Sequence, residues 1–123
     1  MDIEETLFDI TGLPVAYIDF NDMDKTIYLW NGIPVAYMVN MELLYGFNGT
    51  HLGWYQNGII WNLKGERTGY NKNTCPVYKK YEPYKSYKQY KPFKMYRQYA
   101  HFKPFFGMQK SQETLVQFLS RGR

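Results

Sequence analysis

The apolar pattern between residues 6 and 72 repeats four times. With Gly12, Gly32, Gly49 and Gly65 in register, the spacings by subtraction are 20, 17 and 16 residues. Four residues before each glycine stands an aromatic: Phe8, Tyr28, Tyr45, Trp61. Five before it stands an aliphatic (Leu7, Ile27, Leu44, Ile60), and two before it a large apolar residue (Ile10, Trp30, Phe47, Leu63). Four after it the residue is small (Ala16, Ala36, Gly53, Gly69), and five after it is aromatic again (Tyr17, Tyr37, Trp54, Tyr70). Repeats at a fixed register are the first thing to seek in a chain, because each copy is one supersecondary unit.

Each unit reads as a β-hairpin. In Thr26–Met38, Asn31-Gly32 is a turn signal of the type I′ kind, which needs positive φ at both central residues. Such a two-residue turn pairs position −4 with +3. Side chains alternate faces along a strand, so −4, −2, +3 and +5 form one aromatic face, and −5 with the small +4 column forms the other. Small residues recurring at +4 imply a close backbone approach around a central axis. Pro14 and Pro34, two after their glycines, lack a ladder donor, so the N–H at that column should point outward. Asn57-Gly58, Asn21–Asp24 and Asn40–Glu42 supply the joins. The expectation is eight short strands in a pseudo-four-fold, all-β meander, with radial closure removing long free edges.

The texture changes after a polar boundary at Asn71–Pro76. Aromatics then recur at every third residue, from Tyr78 through Tyr81, Tyr84, Tyr87, Tyr90, Phe93, Tyr96, Tyr99 and Phe102 to Phe105. The following residue is mostly basic: Lys79, Lys85, Lys88, Lys91, Lys94, Arg97 and Lys103. Period 3 fits polyproline II, which places all the rings on one edge. Pro83, Pro92 and Pro104 oppose one continuous helix, though the stretch between Pro92 and Pro104 holds helix formers. Twenty-eight such residues would span roughly 87 Å, so the segment must wrap, reach a neighbour or be disordered. Its aromatic content favours order. Beyond Gly107, Ser111 as N-cap and the stripe Leu115, Val116, Phe118, Leu119 predict an amphipathic helix at about 112–121. Three segments result: a hairpin domain at 1–74, an extended Tyr/Lys segment at 75–107 and a helical end at 108–123.

The hairpin pattern resembles the four-fold β-flower family, small bacterial proteins with repeats of the form G-x-x-x-G-Y and N-G-x-I-Y. The matching residues are Gly12/Val15/Ala16/Tyr17, Gly32/Val35/Ala36/Tyr37, Gly49/Leu52/Gly53/Trp54 and Gly65/Thr68/Gly69/Tyr70. The first two copies carry Ala where the pattern has Gly. The resemblance covers roughly residues 5–72 and implies four hairpins around a pseudo-four-fold axis, with no activity attached.

Charge adds one thing. Residues 1–74 hold four basic and nine acidic residues (net −5), residues 75–123 eleven basic and two acidic (net +9), and the sum is the chain's +4. An acidic body with a basic tail points to self-docking or to an interaction tail. The single Cys75 cannot form an internal disulfide, the acidic start lacks the features of a signal peptide, and no apolar run approaches a transmembrane length. A cytoplasmic, non-membrane protein is expected.

Nothing in the chain argues for an enzyme, a cofactor or a small-molecule substrate. There is no P-loop, no Gly-x-Gly-x-x-Gly after a strand and no Gly-x-Ser-x-Gly. His51, in the proline column, reads as a surface variant of the repeat. His101 falls in the tail's third slot, and Cys75 has no identifiable base. The candidate site is therefore the tail: Tyr84, Lys85, Tyr87, Lys88, Tyr90, Lys91, Phe93, Lys94, Tyr96 and Arg97. Two readings stay open here. As a structural or protein-interaction module, the tail docks on the acidic body and joins copies into a homo-oligomer, with its rings buried. As a single-stranded nucleic-acid binder, it stacks bases on solvent-facing rings, and the interleaved lysines beside them contact phosphates.

Overall fold

A computed structural model describes residues 3–123. The acidic start begins outside the described residues, and by Glu4 the chain is already in a strand. Eight strands run in chain order: β1 (Glu4–Phe8), β2 (Pro14–Asp19), β3 (Ile27–Leu29), β4 (Pro34–Val39), β5 (Leu43–Gly46), β6 (His51–Gln56), β7 (Ile59–Asn62) and β8 (Arg67–Tyr70). Each pairs antiparallel with the next, and β8 returns to β1, so the four hairpins form a closed barrel. One helix follows, α1 (Leu115–Ser120).

The aligned turns are tighter in their logic than a type I′ pair. In every copy the glycine N–H donates to the carbonyl at −3, and the N–H at −3 donates to the carbonyl at +1 (Leu29 and Ile33 around Gly32, 2.9 Å). The loop thus holds three residues and only the glycine takes positive φ, the pattern of a type I turn closed by a left-handed residue. Asn31 and Asn48 instead use their side-chain Oδ1 to accept the N–H at +1. The type I′ conformation occurs at the opposite end, where Asn57-Gly58 and Asn40-Met41 both have positive φ.

A bulge recurs in all four hairpins, and it overturns the simple alternation of faces. Position −4 pairs with +2, leaving +3 as the extra residue: Phe8 faces Pro14, Tyr28 faces Pro34, Tyr45 faces His51 and Trp61 faces Arg67. Val15, Val35, Leu52 and Thr68 at +3 are buried, and the first three join the interior core instead of the aromatic face. That interior also holds the −5 aliphatics and the small +4 column.

The aromatic columns lie on the outer wall as four seams. Residue +5 of one copy pairs with residue −4 of the next: Tyr17 with Tyr28, Tyr37 with Tyr45, Trp54 with Trp61, and Tyr70 with Phe8 across the closure. Tyr17 and Tyr28 stack at 5.6 Å between ring centroids.

Helix α1 closes the end of the barrel that carries the aligned glycine turns. Its Leu115, Phe118 and Leu119 are fully buried in the core. The small +4 column makes room for it and for the neighbouring strand: a Cβ on Gly69 would meet Leu115 at 2.8 Å, and one on Gly53 would meet the Trp61 carbonyl at 2.0 Å and Phe118 at 3.2 Å. The helix is shorter than the sequence implied. Thr114 is the N-cap, accepting from the Gln117 N–H while Gln117 Oε1 accepts from Thr114, and Ser111 caps only Glu113.

Candidate functional site

Residues 75–107 contain neither helix nor strand, including the stretch between Pro92 and Pro104. They form a belt on the outer wall of the barrel. The carbonyls of Tyr78, Tyr87, Tyr96 and Phe105 lie over Gly12, Gly32, Gly49 and Gly65, each 2.0 or 2.1 Å from where a Cβ would be. These four residues are nine apart. The return bond has the same period: Lys80, Gln89, Gln98 and Gly107 donate their N–H to the carbonyls of the same four glycines, at 2.9 to 3.1 Å. One nine-residue unit of the belt thus serves one hairpin.

The three slots of each triplet have separate duties. The third slot faces the barrel backbone. Besides the four bonds above, Ser86 donates to the Trp30 carbonyl, Met95 to that of Phe47, and the His101 N–H to His51 Nδ1. Prolines fill this slot at 83, 92 and 104. By the nine-residue period, Pro83 and Pro92 share the phase of His101, which sits on His51 of the +2 column. The first two members of that column are Pro14 and Pro34, so both partners lack a donor in the same two copies. Where the column has an N–H, it points outward to the tail, as the prolines implied: His51 N donates to Gln98 Oε1 and Arg67 N to the Gln109 carbonyl.

The second slot carries the cations, and they turn inward. Lys85 meets Glu4 at 2.7 Å, Lys88 meets Glu4 and Asp19 at 2.7 and 3.1 Å, Lys91 meets Asp22 and Asp24 at 2.7 and 3.2 Å, and Lys94 meets Asp24 at 2.8 Å. Lys103 pairs with Glu42. The same groups lie over the seams: Lys85 is 4.5 Å from the Tyr17 ring, Lys94 5.1 Å from Tyr37 and Arg97 5.6 Å from Tyr45. At the Trp54/Trp61 seam this slot holds Phe106, stacked on Trp61 at 4.5 Å, and Arg67 supplies the cation. Burial alone would push the Glu4 and Asp22 carboxyls up. Hydrogen bonds from Lys85 and Lys88, and from Lys91 and Thr26, outweigh it and hold both below the ordinary carboxylate value. The hydrogen bond from Lys94 lowers Asp24. Burial pushes the Tyr17 hydroxyl up to about 12, so the ring stays neutral beneath its lysines.

The first slot points away from everything. All ten rings from Tyr78 to Phe105 are between 83% and 101% exposed. The paired lysine side chains are only 29% to 45% exposed. The ten candidate residues therefore divide: Tyr84, Tyr87, Tyr90, Phe93 and Tyr96 form an outer edge, and Lys85, Lys88, Lys91, Lys94 and Arg97 an inner one. The rings are not buried against the hairpins, which a wrap was expected to do. Their outward facing is what base stacking was expected to need, while the lysines beside them turn to the barrel carboxylates.

His51 is a second difference from expectation. It is fully buried beneath the belt rather than a surface variant. Its Nδ1 accepts the His101 N–H at 2.9 Å, so Nε2 carries the proton toward the Gly53 carbonyl at 3.1 Å. Burial, with a smaller push from His101, holds its imidazole below the ordinary value, against the Gly53 hydrogen bond. Among the described residues no group of three or more His, Cys, Asp or Glu is placed to hold a metal ion, and no helix is long and apolar enough to cross a membrane. The sequence carried one unread signal of the docking: Pro83 and Pro92, like Gln89 and Gln98, recur at nine residues.

Fold and surface together define a closed four-hairpin barrel with a C-terminal belt and a helical plug. The chain belongs to the 4-fold beta flower family, whose model matches residues 5–119. The match takes in the belt and most of the plug, well past the hairpin repeats on which the resemblance rested. No curated protein and no solved structure matches the chain.

Proposed function

We propose that this protein is a non-enzymatic interaction module that self-associates through the outer edge of its belt. The observation that carries this reading is the division of the belt into inward cations and outward rings. Ten exposed rings along one edge are the kind of apolar surface that marks an interaction site. With its cations drawn into pairs on the barrel, the outer edge brings little like-charge repulsion to a second copy. The same pairing argues against nucleic acid, whose phosphates would have to compete with Glu4, Asp19, Asp22 and Asp24 for the lysines.

Sedimentation velocity on the full chain over a concentration series tests the reading. Reversible growth in mass with concentration is expected, and it should persist as NaCl rises from about 0.05 to 0.2 M, a range over which phosphate-driven binding collapses. A monomer at every concentration would overturn it. In filter binding, no retention of a random single-stranded oligonucleotide is expected at the lower salt.

A further inference from the structure

We infer that the occupant of the outer edge is the same edge of a second copy, the rings of one belt seated between the rings of the other. This rests on the self-association just proposed and adds its geometry. The three-slot facing is that of a polyproline II helix, in which rings on every third residue stand roughly 9.3 Å apart. A partner ring at the midpoint of each gap lies about 4.7 Å from both neighbours, inside the 4.5–7 Å range of favourable aromatic pairs. Neighbouring rings of one belt are too far apart to satisfy each other, and the gap admits one ring and no more.

The comb is also held rigid before any partner arrives. Third-slot N–H groups fix it to the barrel at Lys80, Ser86, Gln89, Met95, Gln98, His101 and Gly107. An edge ordered in advance loses little further entropy on docking. One nine-residue unit presents three rings, so two facing units cover about 900–1,500 Å² of ring surface, close to the range of a specific interface. The units starting at Tyr78, Tyr87 and Tyr96 repeat the same comb. A chain that has docked one neighbour still offers equivalent edges, and association continues past the dimer.

The experiment is photo-oxidative tyrosine cross-linking of the full chain, with isotopically light and heavy copies mixed so that mass spectrometry separates inter-chain from intra-chain links. Inter-chain dityrosine among Tyr84, Tyr87, Tyr90, Tyr96 and Tyr99 is expected. The triple variant Tyr84→Ser/Tyr87→Ser/Tyr90→Ser should weaken association at least about tenfold with an unchanged melting temperature, and Tyr→Phe at the same positions should restore it. Oligomers whose inter-chain links lie only at Tyr55 or elsewhere on the barrel would overturn the interdigitated edge and leave self-association standing. A chain that stays monomeric overturns both. An oligonucleotide that protects the belt tyrosines from linking would replace the second copy as occupant.

Discussion

Tyrosine has two opposite fates in this molecule. Tyr17, Tyr28, Tyr37, Tyr45 and Tyr70 of the barrel are at most 5% exposed, whereas the seven belt tyrosines are at least 83% exposed. Hydrophobicity alone would have turned the belt rings inward. They face out because the belt has three edges and the barrel asks for the other two. Its carbonyls need the third-slot N–H groups, and its carboxylates with their tyrosine seams attract the cations. The outer wall is already paved with rings of its own, and the electron-rich face of such a ring welcomes an ammonium group. The difference teaches that a docked segment is oriented by what the receiving surface lacks.

The sharpest way to test that contrast is to delete one ring from each region. Tyr17→Ala should cost about 3–5 kcal/mol, as other buried aromatic truncations do, and lower the melting temperature by about 10 °C or more. Tyr87→Ala should change stability by less than about 0.5 kcal/mol. Thermal unfolding under conditions where the chain is monomeric decides it, and equal losses would dissolve the contrast.

A smaller effect comes from separating belt from barrel without touching a ring. Gly32 has φ +91°, and a Cβ there would meet the Tyr87 carbonyl at 2.0 Å. Gly32→Ala should cost at least about 1–2 kcal/mol from the left-handed backbone alone, and it should speed tryptic cleavage after Lys88 severalfold. Gly58, at the opposite end with φ +77°, meets the Asn71 side chain. Gly58→Ala should therefore lower stability while leaving cleavage after Lys88 unchanged. If both variants free Lys88 equally, the glycine contact is not what seats the belt.

The smallest effect is one of pH. His51 is held below its ordinary value in the folded chain. Its contribution is complete above the unfolded value of about 6.5 and is lost as pH falls through the lower folded value. Glu4, Asp22 and Asp24 are also lowered, so their contribution is complete above about pH 4–4.5 and is lost at lower pH. Acidification should loosen the belt in two stages, the histidine stage first. In melting curves recorded at stepwise pH, His51→Gln should flatten the stretch just below pH 6.5 and keep the lower stage. A wild-type slope in that variant would assign the upper stage elsewhere. His101, whose ring packs on His51, is the other imidazole at that position.

Much of the fold was legible because the repeat repeats its physics. The glycine register and the period of three are written in residue types that few conformations accept. Other features could not be read locally. Asn31-Gly32 looks like a type I′ turn, and only the bulge in the strands around it makes a three-residue loop the better fit. Met41 takes positive φ without being glycine or asparagine, and nothing in its chemistry announces that. His51 is buried by a segment fifty residues away, so its own neighbours gave no hint. The inward or outward sense of the rings depends on which residues the barrel leaves unpaired on its outer wall, a property of the assembled surface.

The nine-residue match has a consequence for how such a chain can change length. The far-end turns are free of it, as the unequal hairpin spacings of 20, 17 and 16 residues reflect. The belt is not. At three residues per turn, a single inserted or deleted residue rotates every later ring by about a third of a circle, bringing rings onto carboxylates and lysines into solvent. An insertion of three restores the facing but slides each carbonyl off its glycine. Only a block of nine keeps both phases, and then a further hairpin must arrive with it. Barrel and belt are two reading frames locked to one another, and the belt can lengthen only where both frames advance together.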